Sequence, residues 1–514
     1  MGCFKMKYIF SVFATVFLFA CSSTNVFNYD YSSDQYDISY VKANLEFLAS
    51  DQLEGRETAS DAEKVASRFI VTELEKYGLK PFGDSGTFFQ NINFVSRILR
   101  QDSKIVIFNE DSSAFHLNIG EDFLTQANRN FDSTTTGRTA ELVFASYGIA
   151  AREYEYDDYQ DVDVNGKIVI VLSGEPFSEK EDFFNGTRPS AYSHTLSKII
   201  TAQNKGAIGI LMIPSEEMRS YWGMMKNFSM NESISVSDIS DGNIKIPSGL
   251  ISIEGLNKIF ADEKKSFEQI EKLIKENEIP AAFELKKQAS IILRAKENQK
   301  PGRNVVAILP GINPSLQEQY VTIGAHYDHV GIIDGQIYNG ADDNGSGTVS
   351  VLECARILSD VKANQRPIVF LFYTGEEKGL LGSEFFVDNS KIIDSVLVNI
   401  NIDMTGRNGL DSIHCIGSDR VSKKFHDIIA KVNDETVQYI LDYSLSDTRL
   451  FMQSDQYSFS KKNIPVVFFF DNMNNDLHKP SDDVEKINFG KICKTAHLSA
   501  NIALEIANMS NKIK

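Results

Sequence analysis

His326, Asp328, Asp342, Glu376, Glu377, Asp403 and His478 are imidazoles and carboxylates that fall beside glycines or at the ends of apolar runs. Side chains of these two types do two kinds of work, holding divalent cations and moving protons. His326 follows the apolar run 320–325, which reads as a buried strand. In extended chain, residues two apart point the same way, so His326 and Asp328 emerge together while Tyr327 turns to the other side. A carboxylate behind an imidazole holds it in one tautomer and makes it a better metal ligand. Asp342 lies in GADDNGSG, ahead of the apolar stretch 349–358. Glycines there let the backbone approach a cation, and N–H groups at a helix start favour an anion. Asp343 and Asn344 read as caps of that helix.

Glu376 and Glu377 follow a third apolar run, 368–373. Adjacent carboxylates repel unless a cation neutralises them, and their side chains diverge. One can therefore hold a metal while the other addresses a water. The runs 396–402 and 466–470 lead to Asp403 and to a polar loop carrying His478.

The segments HYDH, GADDNGSG, TGEE, NIDM and HKPSDD, in this order, resemble peptidase family M28, the zinc-dependent aminopeptidases and related exopeptidases. The resemblance covers most of residues 300–510. It implies that His326, Asp342, Glu377, Asp403 and His478 bind two Zn2+ ions, with Asp342 bridging them. His326 and Asp403 would complete one ion, and Glu377 and His478 the other. Glu376 would be the general base, and Asp328 the carboxylate associated with His326. Zinc accepts such a mixed nitrogen and oxygen set, whereas an all-oxygen magnesium site has less use for two histidines. SDQY at 454–457 stands where relatives often have SDHY, and Leu477 where many have Tyr. Gln456 has no positive state, unlike a histidine there.

The implied substrate is a peptide losing N-terminal residues, through a metal-activated water. A dipeptidase or carboxypeptidase of the same fold is an alternative, as is a catalytically silent, lipid-anchored peptide-binding protein. A glutaminyl cyclase fits less well, because GADDNGSG retains the pattern of the bridging Asp. GTVSV around Ser350 is not the GxSxG of a serine hydrolase.

These residues need a scaffold that brings strand ends together. Apolar strands alternate with candidate helices at 347–358, 380–387, 423–432 and 484–509. That alternation gives an α/β fold of three layers with a central mixed sheet, and the motifs make it the zinc-peptidase version. VNGKIVIVLSG and KIITAQNKGAIGILMI resemble a protease-associated (PA) domain, a mainly β insertion placed at 120–265. The catalytic domain then comprises 40–119 and 266–514. Arg56 lies in LEGR, which resembles the LxGR loop of M28 enzymes, and is expected to hold a carboxylate or form a helix-end ion pair. Tyr221, Trp222, Met224, Met225 and Phe228 cluster in sequence and suit local packing or substrate contact.

Lys5 and Lys7 precede the apolar run 8–20, which is short for a permanent membrane span and ends at Cys21. LFAC at 18–21 resembles a bacterial lipoprotein box. Residues 1–20 are thus expected to be a signal peptide and 21–39 a tether from lipidated Cys21, on an exported lipoprotein of the outer membrane. The formal charge of −18 disfavours nucleic acid as a partner. Cys354, Cys415 and Cys493 are too few for a disulfide framework.

Overall fold

The computed structural model describes residues 38–125, 136–180, 182–186, 189–236, 244–446, 449–471 and 473–510. The expected signal peptide, Cys21 and nearly all of the tether lie outside them. Among the described residues, no helix is long and apolar enough to cross a membrane.

Two sheets organise the chain. In the larger one the strands Ile368–Tyr373, Tyr320–His326, Val396–Ile402 and Val466–Phe470 lie side by side, all parallel. Their side chains alternate between two apolar layers. Ile368, Phe370 and Phe372 face one core with Val321, Ile323, Val398 and Ile400, under the helices Gly347–Val361 and Phe489–Asn508. Val369, Leu371 and Tyr373 face the other with Val466, Phe468, Phe386 and Phe459. Both faces of these strands are covered, which is why they read as continuous apolar runs. All four carboxyl ends open on the same side, where an open α/β sheet forms its crevice. The expected three-layer α/β architecture with a mixed sheet is present, since antiparallel strands flank the parallel centre.

The second sheet has the strand order 114–118, 104–108, 283–292, 139–144, 168–172, 209–213, 248–251 and 123–124. It has its own apolar clusters on its two faces. Its strands 104–108 and 114–118 lie in the range 40–119 expected for the catalytic part, and 283–292 in the range 266–514 after the insertion. The chain instead crosses between sheets along a two-stranded ribbon, Phe89–Leu99 against Ala295–Leu309, in register from Val305 opposite Phe89 to Ala295 opposite Leu99. Hydrogen bonding to distant strands sets this crossing, so the boundaries at 119 and 265 fall inside the second sheet.

Tyr221, Met224 and Phe228 are exposed on and beside the helix Trp222–Met230, whereas Trp222 and Met225 pack against the second sheet's core. Cys354, Cys415 and Cys493 are buried free thiols.

Candidate metal centre

His326 is the last residue of its strand and is buried. Its Nδ1 lies 3.2 Å from the backbone carbonyl of Asp328, an acceptor, so that nitrogen carries the hydrogen. Nε2 is left to the crevice, 3.4 Å from Asp403 Oδ1, 3.6 Å from Asp343 Oδ1 and 3.9 Å from Glu376 Oε2. The Asp328 carboxylate is farther from the ring, 3.7 Å from Nδ1. It accepts instead from Thr58 Oγ1 at 2.6 Å and from the Glu376 backbone N–H at 3.2 Å. Asp328 thereby ties the end of one strand to the loop beyond its neighbour.

The DD pair is resolved against the expectation for Asp342. Its carboxylate is turned away from the histidines, accepting from Gly406 N–H (2.8 Å), Ser346 Oγ (3.0 Å) and Asn474 Nδ2 (3.0 Å), with Arg407 Nε 3.7 Å off. Asp343 occupies the crevice instead: Oδ1 faces His326 Nε2 and Oδ2 lies 3.1 Å from His478 Nε2. The reason is a partner distant in sequence. The Asp482 carboxylate accepts the N–H of both Asp342 and Asp343 and receives Arg407 Nη2 at 2.6 Å. Those bonds fix the loop's orientation, and consecutive side chains then diverge, so only one of the two can enter the crevice. Asn344, expected as a helix cap, accepts Gly347 N–H at 2.8 Å.

His478 approaches from the loop beyond Phe470 and also lies 3.0 Å from Glu377 Oε2. Two groups of possible metal donors result, each within 4.8 Å: His326, Asp343 and Asp403; and His329, Asp343, Glu377 and His478. Asp343 belongs to both. Asp403 Oδ2 accepts from Ser454 Oγ at 2.7 Å, while its buried Oδ1 has no protein donor and faces His326. An orphaned buried carboxylate oxygen among imidazole nitrogens and further carboxylates is what a divalent cation would satisfy. The donor set therefore fits two zinc-type ions.

The electrostatics separate the two glutamates. Burial pushes the Glu376 carboxyl well above the usual range, against the pull of His326, with Glu377, Asp455 and Asp403 raising it further. Burial would raise Glu377 as well, but hydrogen bonds from His329 and His478 hold it well below the usual range. Burial and Asp482 push Asp342 up to about 8.

Two groups without a sequence expectation, His329 and Glu63, and one with other partners than expected, Arg56, shape the crevice. His329, the last letter of HYDH, reaches Glu377. Arg56 pairs with no carboxylate: it is fully buried and donates to four carbonyls, those of Leu48, Tyr327, Asn339 and Gly340, at 2.6–2.9 Å. It thereby joins the loop after His326 to the start of GADDN. The GR pair was visible in sequence, but carbonyl partners leave no sequence trace. Glu63 of the helix Asp61–Lys76 accepts from Thr374 Oγ1, next to the EE pair. Gln456 points into the wall, accepting from Asn401 Nδ2 at 2.9 Å and donating to the Phe451 carbonyl at 2.7 Å.

Beside the carboxylates lies a cavity of about 450 Å³. Glu376, Glu377, Asp343, Asp403 and His478 give it polar groups, and its other walls are mainly apolar, with Leu450, Phe468, Phe470 and Leu477 among them beside the polar Gln453.

Comparison with known proteins gives two family matches. Residues 304–503 match Peptidase family M28, and residues 138–259 match the PA domain. A probable leucine aminopeptidase of Arthroderma benhamiae is 31% identical over 221 residues, 40% of this chain and 57% of that protein. Leucine aminopeptidase 1 of Sclerotinia sclerotiorum is 31% identical over 229 residues, 40% of this chain and 56% of its own length. The chain thus spans little more than half the length of these relatives. Among solved structures, an aminopeptidase from Aneurinibacillus sp. strain AM-1 aligns over 93% of this chain and 95% of its own, with a TM-score of 0.56 and 18% identity, a likeness of fold.

Proposed function

We propose that this chain, which carries an M28 peptidase domain with an inserted PA domain, is a dinuclear zinc aminopeptidase acting on peptides with apolar N-terminal residues. The observation that carries the proposal is the division of Asp343, whose two carboxylate oxygens face two different histidines, His326 and His478. One ion would be held by His326, Asp343 and Asp403, the other by Asp343, Glu377 and His478. When bound, the pair would polarise the scissile carbonyl and make a water acidic enough to react near neutrality.

The chain's own residues supply the rest. Glu376, its backbone held by Asp328 and its carboxyl raised by burial, takes the water's proton and returns it to the departing amine. The carboxylates lining the cavity attract a free α-ammonium, and its mainly apolar walls suit a leucine-like side chain, in keeping with the relatives named leucine aminopeptidase. Attachment through Cys21 to an outer membrane belongs to the same reading.

The test is a panel of leucyl, aspartyl and lysyl peptides, each with a free, N-acetylated or C-amidated end, followed by mass spectrometry with zinc present. Sequential loss of N-terminal residues, fastest for leucine and abolished by acetylation, is expected. Undiminished cleavage of acetylated peptides points to carboxypeptidase action. Inertness of the zinc-loaded protein toward the whole panel leaves a peptide-binding protein.

A further inference from the structure

His329 is fully buried and is itself one of the second group of possible donors, yet neither the motif resemblance nor the proposed reaction gives it a task. Its Nδ1 lies 2.8 Å from Glu377 Oε1 and 3.7 Å from Asp343 Oδ2. A carboxylate oxygen only accepts, so Nδ1 carries the hydrogen and donates it. Its Nε2 is buried and meets no partner among the described residues, where the ring's one hydrogen bond is the one to Glu377.

The Glu377 carboxylate is thereby split. Oε1 receives the His329 hydrogen, and Oε2 faces His478 Nε2 at 3.0 Å, beside Asp343 Oδ2 at 3.1 Å from the same nitrogen. The His329 ring is closely packed against backbone. Its backbone N–H donates to the Arg56 carbonyl at 3.1 Å, and Gly340 packs so close that a Cβ there would stand 2.5 Å from the imidazole carbons. His478, by contrast, is half-exposed, with 49% of its side chain accessible. The rigid element of this group is therefore His329 with Glu377.

We infer that His329 is a positioning residue for the second ion: its Nδ1–H fixes Glu377 so that Oε2 alone is presented, beside Asp343 Oδ2 and His478 Nε2. This rests on the dinuclear reading above. Outer hydrogen-bond partners of metal ligands are worth about 10–100-fold in affinity. The assignment to one nitrogen makes it testable, because an asparagine amide can replace an Nδ1 donor and a glutamine amide reaches the position of Nε2.

The full chain and its His329→Asn and His329→Gln variants are titrated with zinc against a competing chelator, with stoichiometry read by elemental analysis and folding by circular dichroism. We expect two ions in the unaltered chain, two ions within about 3-fold of that affinity in His329→Asn, and a second ion about 10–100-fold weaker in His329→Gln with the first unchanged. Equal weakening in both variants, as packing or direct ligation by the ring would give, overturns the inference. So does unchanged affinity in both. Fewer than two ions in the unaltered, folded chain overturns the dinuclear reading itself and this inference with it.

Discussion

Asp343 and Asp342 differ in partners, not in chemistry. The first lies between two histidines; the second receives a backbone N–H, a hydroxyl and an amide within the wall. Asp343→Ala is therefore expected to lose bound zinc, measured by elemental analysis after dialysis. Asp342→Asn is expected to keep both ions but to unfold more easily, by about 1–3 kcal/mol, because an amide nitrogen would face donors in a buried place. Zinc loss in Asp342→Asn with full retention in Asp343→Ala would reverse the assignment. Glu376 stands 3.9 Å from His326 and belongs to neither donor group. Glu376→Gln should bind both ions and turn over about 10²–10⁴-fold more slowly. Near-normal turnover at full occupancy would remove it as the base.

Four parallel strands carry the centre at their carboxyl ends, and loops braced by Arg56, Asp328 and Asp482 complete it. The second sheet contains an element under a different stress. Lys198, in the helix Thr195–Asn204, is buried with its ammonium donating to the Tyr147 carbonyl. Burial lowers it to about 7, against the pull of Asp158 and Glu175. Its folded value is below its unfolded one, so between about pH 7 and the ordinary lysine range the unfolded chain binds more protons. Stability therefore rises with pH across that window. Thermal unfolding of the second sheet, followed from pH 7 to pH 10, should show this rise in the unaltered chain and a flatter profile in Lys198→Met. Equal slopes would show that the ammonium is not desolvated as the structure has it.

Across the whole molecule, the centre gathers Asp343, Glu376, Glu377 and Asp403 in one crevice against His326, His329 and His478. Ions bound only by the folded chain add stability by mass action, about 2.7 kcal/mol for a site at a hundredfold its Kd. Stripping the protein with a chelator is expected to lower its melting temperature, and zinc to restore it, with magnesium far less effective at equal concentration. A melting temperature indifferent to demonstrated metal loss would argue against a cation pair at this place. The ribbon Phe89–Leu99 with Ala295–Leu309 makes the two sheets one continuous structure, and the strand Ser233–Val236, from between strands of the second sheet, pairs on the ribbon's outer edge.

The layers and the places of the chemistry-bearing side chains could be read along the chain. Strands buried on both faces must be apolar throughout, and the polar residues after them must fall at strand ends, so His326, Glu376, Glu377 and Asp403 were legible in order. Which Asp of GADDNGSG enters the crevice, what His329 touches, what Arg56 holds and where the chain passes between sheets are set by long-range contacts. Each of these depends on a partner distant in sequence: Asp482 orients the DD loop from 140 residues away, and Arg56 meets carbonyls 271–284 residues on. Spacing and hydropathy describe neighbours along the chain, and contacts of that range do not alter either.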